Sequence, residues 1–133
     1  ESVETNFEKD PLFGKTRDSM LYNKAYLGEN DPTNEYISPL FGDYEGFPPL
    51  LIQVGSYEML LSDSTRVAKK AKEAGGKVKL SIYEGMFHVF QMAMLLMPES
   101  KKAWAEIKRF LHYLDAEEKE ENEMQNISKE EKA

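Results

Sequence analysis

The chain has 133 residues, the length of one domain, and its hydrophobic content of 41% and aromatic content of 11% are enough for a globular core. Its net charge of −7 argues against a nucleic-acid partner, because contacts with a phosphate backbone need clustered lysine and arginine. The absence of cysteine excludes disulfides, thiolate metal clusters and a cysteine nucleophile, and it fits an intracellular protein.

Targeting signals are not evident in the sequence. No apolar run reaches the ~18 to 20 residues that a membrane-spanning helix needs. The charged start ESVETNFEKD does not resemble a signal peptide either. We therefore expect a cytoplasmic protein without a membrane span.

Residues 1–47 are predicted to form loops and one or two short helices that lead into a sheet. Turn-forming residues recur at short intervals, in the stretches DPLFG, GENDPTNEY and SPLFGDYEGFPP. Between them, Thr16–Leu27 is predicted to be helical. Its apolar residues recur at roughly helical spacing: Met20, Leu21, Ala25 and Tyr26.

Residues 48–114 follow the order strand, helix, strand, helix, which indicates a parallel α/β sheet. The apolar run Leu50–Val54 is typical of a strand that is buried on both faces. The helix that follows, in SDSTRVAKKAKEAGG, is predicted to be capped by Ser62 or Asp63 and to end at the glycine pair.

The second strand and the last helix complete this part of the chain. KVKLSIYE alternates apolar and polar side chains, which predicts a strand with Val78, Leu80 and Ile82 on its drier face. Apolar residues at helical spacing predict an amphipathic helix over Glu99–Leu114: Ala103, Trp104, Ile107, Phe110, Leu111 and Leu114.

Two parallel strands do not make a stable sheet on their own, since a strand as apolar as Leu50–Val54 needs neighbours on both sides. The sequence therefore predicts the C-terminal part of a larger α/β domain, incomplete on its own. Residues 115–133 carry eight acidic and three basic residues, which is typical of a solvated helical extension or a disordered end.

Polar residues follow each of the two predicted strands. Ser56, Tyr57 and Glu58 follow the first strand, and His88 follows the second. The carboxyl ends of neighbouring parallel strands meet at one edge of a sheet, where α/β enzymes keep their catalytic groups. A carboxylate beside an imidazole fixes the tautomer of the ring and stabilises its protonated form, which is the orienting half of a catalytic triad.

The stretches SPLFGDYEGFPPLLIQVGSYEMLLSDS and YEGMFHVFQ resemble the C-terminal portion of hormone-sensitive-lipase-like α/β-hydrolases, a family with many small-ester carboxylesterases. The similarity extends over Asp10–Leu111, and acid before histidine is the chain order of α/β-hydrolases. The resemblance implies that His88 is the general base and that Glu58, 30 residues earlier, is the acid. The family's acid is more often aspartate. Asp63 is the alternative, although it fits the cap of the next helix better.

The nucleophile of that family has no counterpart in these 133 residues, because neither a G-x-S-x-G elbow nor an H-G-G-G-type oxyanion loop occurs in the sequence. Ser19, Ser38 and Ser56 lack the glycine-flanked turn of such an elbow. The chain alone is therefore not expected to hydrolyse esters at enzymatic rates.

The histidine turn is predicted to expose the ring of His88. Gly85 allows the chain to turn sharply off the strand, so that the ring projects toward a serine held elsewhere. The apolar run Val89–Met97 is expected to pack mostly against the core. Within it, Val89 and Phe90 are predicted to lie near the substrate.

The predicted function is that of a serine carboxylic ester hydrolase for a small-molecule ester, of which this chain carries the acid and the histidine. The reaction of a serine hydrolase needs neither a metal nor an organic cofactor, and His112 on the last predicted helix is not expected to bind a metal. The expected partner is a second copy of the chain or the missing N-terminal half.

Three alternatives stay open: an inactive truncated α/β-hydrolase that acts as a binding or interaction module, a receptor on the same fold, and a peptidase or thioesterase with a similar triad.

Overall fold

A computed structural model describes residues 1–14 and 24–130. The chain divides into two compact units, Glu1–Met92 and Ala93–Ala133. Within the described ranges, no helix is both long and apolar enough to cross a membrane.

The first part of the chain is made of short helices and turns. Helix α1 spans Ser2–Thr5 and helix α2 spans Lys24–Leu27, and a 3-10 turn covers Pro39–Phe41. Most of the helix predicted over Thr16–Leu27 lies outside the described residues. Its last four residues are helical, as α2.

The first unit contains a parallel sheet of two strands within the described ranges. Strand β1 spans Leu50–Gly55 and strand β2 spans Val78–Tyr83, and they pair in register from Leu50 opposite Val78 to Gly55 opposite Tyr83. Helix α3, Leu61–Glu73, connects the two strands and packs on both. The predicted α/β order of strand, helix and strand is therefore confirmed.

The core of this unit lies where α3 meets the sheet. Ala68 and Ala71 on α3 are buried, as is Val54 near the end of β1. Small side chains at these helix positions let the helix approach the strands closely. Met59 and Phe90, which follow β1 and β2 in the chain, are the largest fully buried apolar side chains of the described residues.

The start of α3 differs from the sequence prediction, because neither Ser62 nor Asp63 caps the helix. The helix begins at Leu61 after Leu60, which makes no side-chain cap. Instead, the backbone N–H of Ser62 donates to the hydroxyl of Ser2 at 2.8 Å, and that hydroxyl donates to the carbonyl of Met59 at 2.5 Å. A residue of α1 thus accepts a backbone N–H of the first turn of α3 that has no partner within the helix. The two residues are too far apart in sequence for a capping motif to indicate this contact.

The predicted burial is wrong at Ile82 and over most of the run after His88, whereas Val78 and Leu80 of β2 are half-buried, as expected of its drier face. Ile82 was expected on the drier face of β2, but its side chain is half exposed. The run after His88 was expected to pack against the core, yet Met92, Leu95 and Leu96 are largely exposed, and only Phe90 in it is buried. The chain forms a 3-10 segment here, Phe90–Leu96, interrupted at Met94 by a positive φ of 50°, so its side chains do not share one face.

The second unit contains one long helix, α4, over Pro98–Glu130. Proline at the first helical position is favoured because its missing N–H would have no partner within the helix. The predicted amphipathic helix over Glu99–Leu114 lies within α4. Of its predicted apolar face, Ala103 is buried, whereas Trp104 and Leu111 are about half exposed.

Candidate active site

His88 and Glu58 lie in contact at the carboxyl edge of the sheet. Glu58 follows β1 and His88 follows β2, and they are 30 residues apart in sequence. The Nδ1 atom of His88 lies 2.6 Å from Oε1 of Glu58. The side chain of His88 is 21% exposed and that of Glu58 is 9% exposed, so the pair is shielded from water but not sealed.

The two loops that carry this pair are joined through their backbones. The N–H of Ser56 donates to the carbonyl of Tyr83 at 2.9 Å, and the N–H of Tyr57 donates to the carbonyl of Met86 at 3.0 Å. In the opposite direction, the N–H of Gly85 donates to the hydroxyl of Ser56 at 2.8 Å. These bonds continue the β1–β2 pairing beyond the strands and fix the separation of the two loops.

Gly85 and Gly55 permit this arrangement for different reasons. Gly85 has a positive φ of 72°, a conformation in which a side chain would be strained, so the predicted role of this glycine in the histidine turn is confirmed. Gly55 instead leaves room for the neighbouring loop. A Cβ atom at position 55 would lie 2.0 Å from the carbonyl oxygen of Met86.

The carboxylate of Glu58 is held at both oxygens. Oε1 faces His88, and Oε2 accepts the backbone N–H of Gly55 at 3.1 Å. The N–H of Glu58 in turn donates to the carbonyl of Gly55 at 3.1 Å. The acid therefore closes a tight turn at the end of β1, which limits the positions that its carboxylate can take.

This geometry determines which nitrogen of His88 carries the proton. An ionised carboxylate only accepts hydrogen bonds, so Nδ1 donates and Nε2 keeps its lone pair in the neutral ring. Among residues 1–14 and 24–130, Nδ1 makes the only hydrogen bond of this imidazole. If Nε2 takes a proton, the adjacent carboxylate stabilises the resulting imidazolium. The geometry of the pair therefore leaves Nε2 as the ring atom that can accept a proton.

Phe13 covers one face of the His88 ring. The two ring centroids lie 4.0 Å apart with an angle of 33° between the ring planes. Sequence reasoning missed this residue, since the stretch DPLFG indicates only a turn. The aromatic contact and the Glu58 hydrogen bond together restrict rotation of the imidazole.

The two predicted substrate-binding residues differ in exposure. Phe90 is 1% exposed and packs against Tyr83, with ring centroids 4.9 Å apart. Val89 is 37% exposed and has a positive φ of 52°, which is strained for a β-branched side chain. Phe90 is thus part of the core and Val89 is at the surface, and the position of both near the substrate stays a prediction.

The remaining candidate residues have other partners, are exposed, or lie outside the described residues. Asp63, the alternative acid, lies on α3 and pairs with Arg66 at 3.7 Å. Ser56 accepts the hydrogen bond from Gly85, and Ser19 lies outside the described residues. His112 is exposed on α4. No group of three or more potential metal ligands occurs in the described part of the chain.

Replacement of Gly55 by alanine is expected to disrupt the site. The added methyl group meets a backbone carbonyl rather than a movable side chain, so the two loops must separate at a cost of about 3 kcal/mol in the free energy of unfolding. Denaturant-induced unfolding measures this cost. Gly42→Ala is the matched control, because Gly42 has a φ of −66° and its new Cβ would lie 3.2 Å from the carbonyl oxygen of Pro39, a contact that needs a shift of only a few tenths of an ångström. Equal unfolding midpoints for the two variants would contradict the close approach of Gly55 to the backbone of Met86.

Comparison with known proteins identifies similar chains. A family model described as alpha/beta hydrolase fold matches residues 1–92. An esterase of Acinetobacter venetianus is 46% identical over 93 residues, which are 69% of this chain and 31% of the esterase. An acetyl-hydrolase of Streptomyces hygroscopicus is 39% identical over 88 residues, 66% of this chain and 29% of that protein.

Solved structures show the same likeness. An esterase from the bacterial hormone-sensitive lipase family superposes with a TM-score of 0.75 and 41% sequence identity, covering 83% of this chain and 37% of the esterase. The chain therefore spans about a third of the length of the proteins that it matches.

Proposed function

The chain belongs to the hormone-sensitive-lipase-like group of the α/β-hydrolase family, and from this membership we propose that it is the C-terminal part of a serine carboxylic ester hydrolase. In this proposal His88 is the general base and Glu58 orients it. The observation that carries the proposal is the 2.6 Å contact between Nδ1 of His88 and the Glu58 carboxylate at the carboxyl edge of the sheet. The longer protein to which this chain would belong is called the intact polypeptide below.

The proposed reaction proceeds through an acyl-enzyme. A serine of the intact polypeptide attacks the ester carbonyl carbon while Nε2 of His88 takes the hydroxyl proton. The imidazolium then gives that proton to the departing alcohol, and the acyl group stays on the serine. A water molecule attacks the acyl carbon with His88 again as base, and the returned proton frees the serine and releases the acid.

Glu58 contributes to both halves of this cycle. It holds the Nδ1–H so that the Nε2 lone pair remains available, and its charge stabilises the imidazolium formed in each half. The oxyanion donors are proposed to come from the remainder of the intact polypeptide, where family members keep them. No step needs a metal or an organic cofactor.

Hydrolysis of a panel of acyl substrates by the intact polypeptide tests this function. We expect p-nitrophenyl acetate and butyrate to be hydrolysed, and an acyl p-nitroanilide, which contains an amide bond, to react far more slowly. The inclusion of an acetyl ester follows from the named activity of the Streptomyces relative. Faster hydrolysis of the anilide or of a matched thioester would favour a peptidase or a thioesterase instead.

A non-catalytic interaction module is the second candidate function, favoured by the exposed apolar side chains after His88. Met92, Leu95 and Leu96 are all at least three-quarters exposed. Exposed apolar side chains commonly mark a contact with another polypeptide where they cluster. This function predicts a native protein that forms a stable complex and fails to hydrolyse any member of the panel.

A further inference from the structure

Asp10 is a buried carboxylate close to the candidate active site, although it has no place in the proposed reaction. It is 2% exposed. Its Oδ1 accepts the backbone N–H groups of Leu12 and Phe13, at 3.1 and 3.2 Å. Its Oδ2 accepts the N–H of Met59 at 3.2 Å. One side chain thus connects the N-terminal loop to the loop that carries Glu58.

The two segments that Asp10 joins are those that contact His88. Phe13 lies against the imidazole ring, and Met59 follows directly after Glu58, which bonds the same ring. The Asp10 carboxylate therefore links the aromatic and the acidic contact of one histidine. Loss of the hydrogen bonds at either carboxylate oxygen of Asp10 would therefore change the position of a residue that contacts the His88 ring.

Asn6 makes a second connection of the same kind. Its Nδ2 donates to the carbonyl of Ser56 at 2.9 Å and to the carbonyl of Glu58 at 3.0 Å. Like Asp10, Asn6 is buried. Two polar side chains from residues 1–14 therefore bind the backbone on either side of the acid.

Burial distinguishes Asp10 from aspartates that only form a local turn. Asp43 also accepts the N–H of the residue two positions later, at 3.0 Å from Glu45, but Asp43 is exposed. A local turn of this type does not require the carboxylate to leave water, and burying a charge is costly unless several hydrogen bonds compensate it. The burial of Asp10 accompanies its bond to Met59, 49 residues away, which a local turn does not explain.

We propose that Asp10, supported by Asn6, is a positioning residue for His88. By fixing the Glu58 turn relative to Phe13, it holds the imidazole in one orientation. The consequence for catalysis rests on the ester hydrolase function proposed above, whereas the effect on the orientation of His88 does not.

Asp10→Asn tests the positioning role of Asp10, because asparagine has nearly the same size and shape as aspartate. An amide presents one oxygen and one NH2 group, so either Met59 or the Leu12–Phe13 pair loses its acceptor and faces a donor. With one connection lost, the histidine is less well placed. We expect kcat of the intact polypeptide to fall about 10- to 100-fold, because small displacements of reacting groups are that costly. KM should change little, since Asp10 is not proposed to touch the substrate.

A second readout does not depend on activity. In the wild type, the Nδ1 proton of His88, held by a carboxylate at 2.6 Å, should give a separate downfield proton NMR signal. Asp10→Asn should shift this signal upfield or broaden it by exchange with water. Asp43→Asn is the matched control, because it alters the same type of turn at an exposed position, and it should change neither kcat nor the signal.

Asn6→Ala provides an independent variant if Asp10→Asn does not fold, because it removes only the bonds to Ser56 and Glu58. It should move kcat and the NMR signal in the same direction. Unchanged kcat and an unchanged signal in the folded variants would overturn the positioning role and leave the esterase function intact. A wild type without esterase activity whose signal still moves in Asp10→Asn would refute the function and support the positioning of His88.

Discussion

Replacement of His88 by alanine in the intact polypeptide is expected to lower kcat for p-nitrophenyl butyrate by roughly a million-fold, as loss of the base does in serine hydrolases. No group would accept the proton of the serine hydroxyl, and no group would protonate the departing alcohol. KM should change far less, because the imidazole acts on protons and not on the bound acyl chain. Steady-state kinetics measure both constants.

The control for this variant is His112→Ala. His112 is the other of the two histidines of the chain and is exposed on α4. Its replacement should leave kcat within a factor of about two, because His112 has no role in the proposed reaction and substitutions at exposed positions usually have small effects. If His88→Ala keeps more than a tenth of wild-type activity, His88 is not the general base.

Replacement of Glu58 by glutamine is expected to lower kcat by roughly ten thousand-fold. Glutamine has the size of glutamate but no charge, so it cannot stabilise the imidazolium. If its amide group donates to Nδ1, the ring adopts the tautomer whose Nε2 carries the proton and cannot accept another. The same assay checks this prediction, and unfolding measured by circular dichroism verifies that the variant is folded.

Two further variants test whether the loss of activity is specific to Glu58. Glu84→Gln removes an exposed carboxylate from the turn between β2 and His88 and should leave kcat unchanged. Asp63→Asn alters the alternative acid, which pairs with Arg66 on α3, and should also have little effect. If Asp63→Asn abolishes activity and Glu58→Gln does not, Asp63 is the acid and the contact between Glu58 and His88 has another purpose.

Much of the fold was predictable because its signals are local. The mostly apolar run at Leu50–Val54 and the alternation after Lys77 indicate strands, and the glycine pair after Ala74 indicates the end of a helix. A helix between two strands then implies that they are parallel, since a hairpin needs only a short turn. The contact between Glu58 and His88 follows from the same reasoning, because parallel strands end at one edge. Their catalytic roles stay predictions.

The rest depends on contacts between residues distant in sequence. Nothing in the pattern around Ser2 indicates that its hydroxyl caps a helix that begins 59 positions later, at Leu61. The contacts of Asp10 and Phe13 with the acid and histidine loops are equally non-local. A stretch such as DPLFG predicts a turn from its composition, but composition does not show what the turn packs against.

Burial was the least predictable property of the apolar segments. Leu95 and Leu96 are as apolar as any core residue, yet both are largely exposed. Apolar composition gives a residue a tendency toward burial, but the neighbours that cover it come from other segments. The proposed intact polypeptide would supply such neighbours, since the matched region is only 31% of the Acinetobacter esterase.

Labelling of the native protein with a fluorophosphonate, which modifies an activated serine, is the most direct measurement for the proposed triad. Intact mass spectrometry of the labelled protein should show one adduct on a polypeptide larger than the 15.3 kDa of this chain, and His88→Ala should not react. A native polypeptide of 15.3 kDa without an adduct, or equal labelling of His88→Ala, would contradict the assignment of His88 and Glu58 to a serine hydrolase.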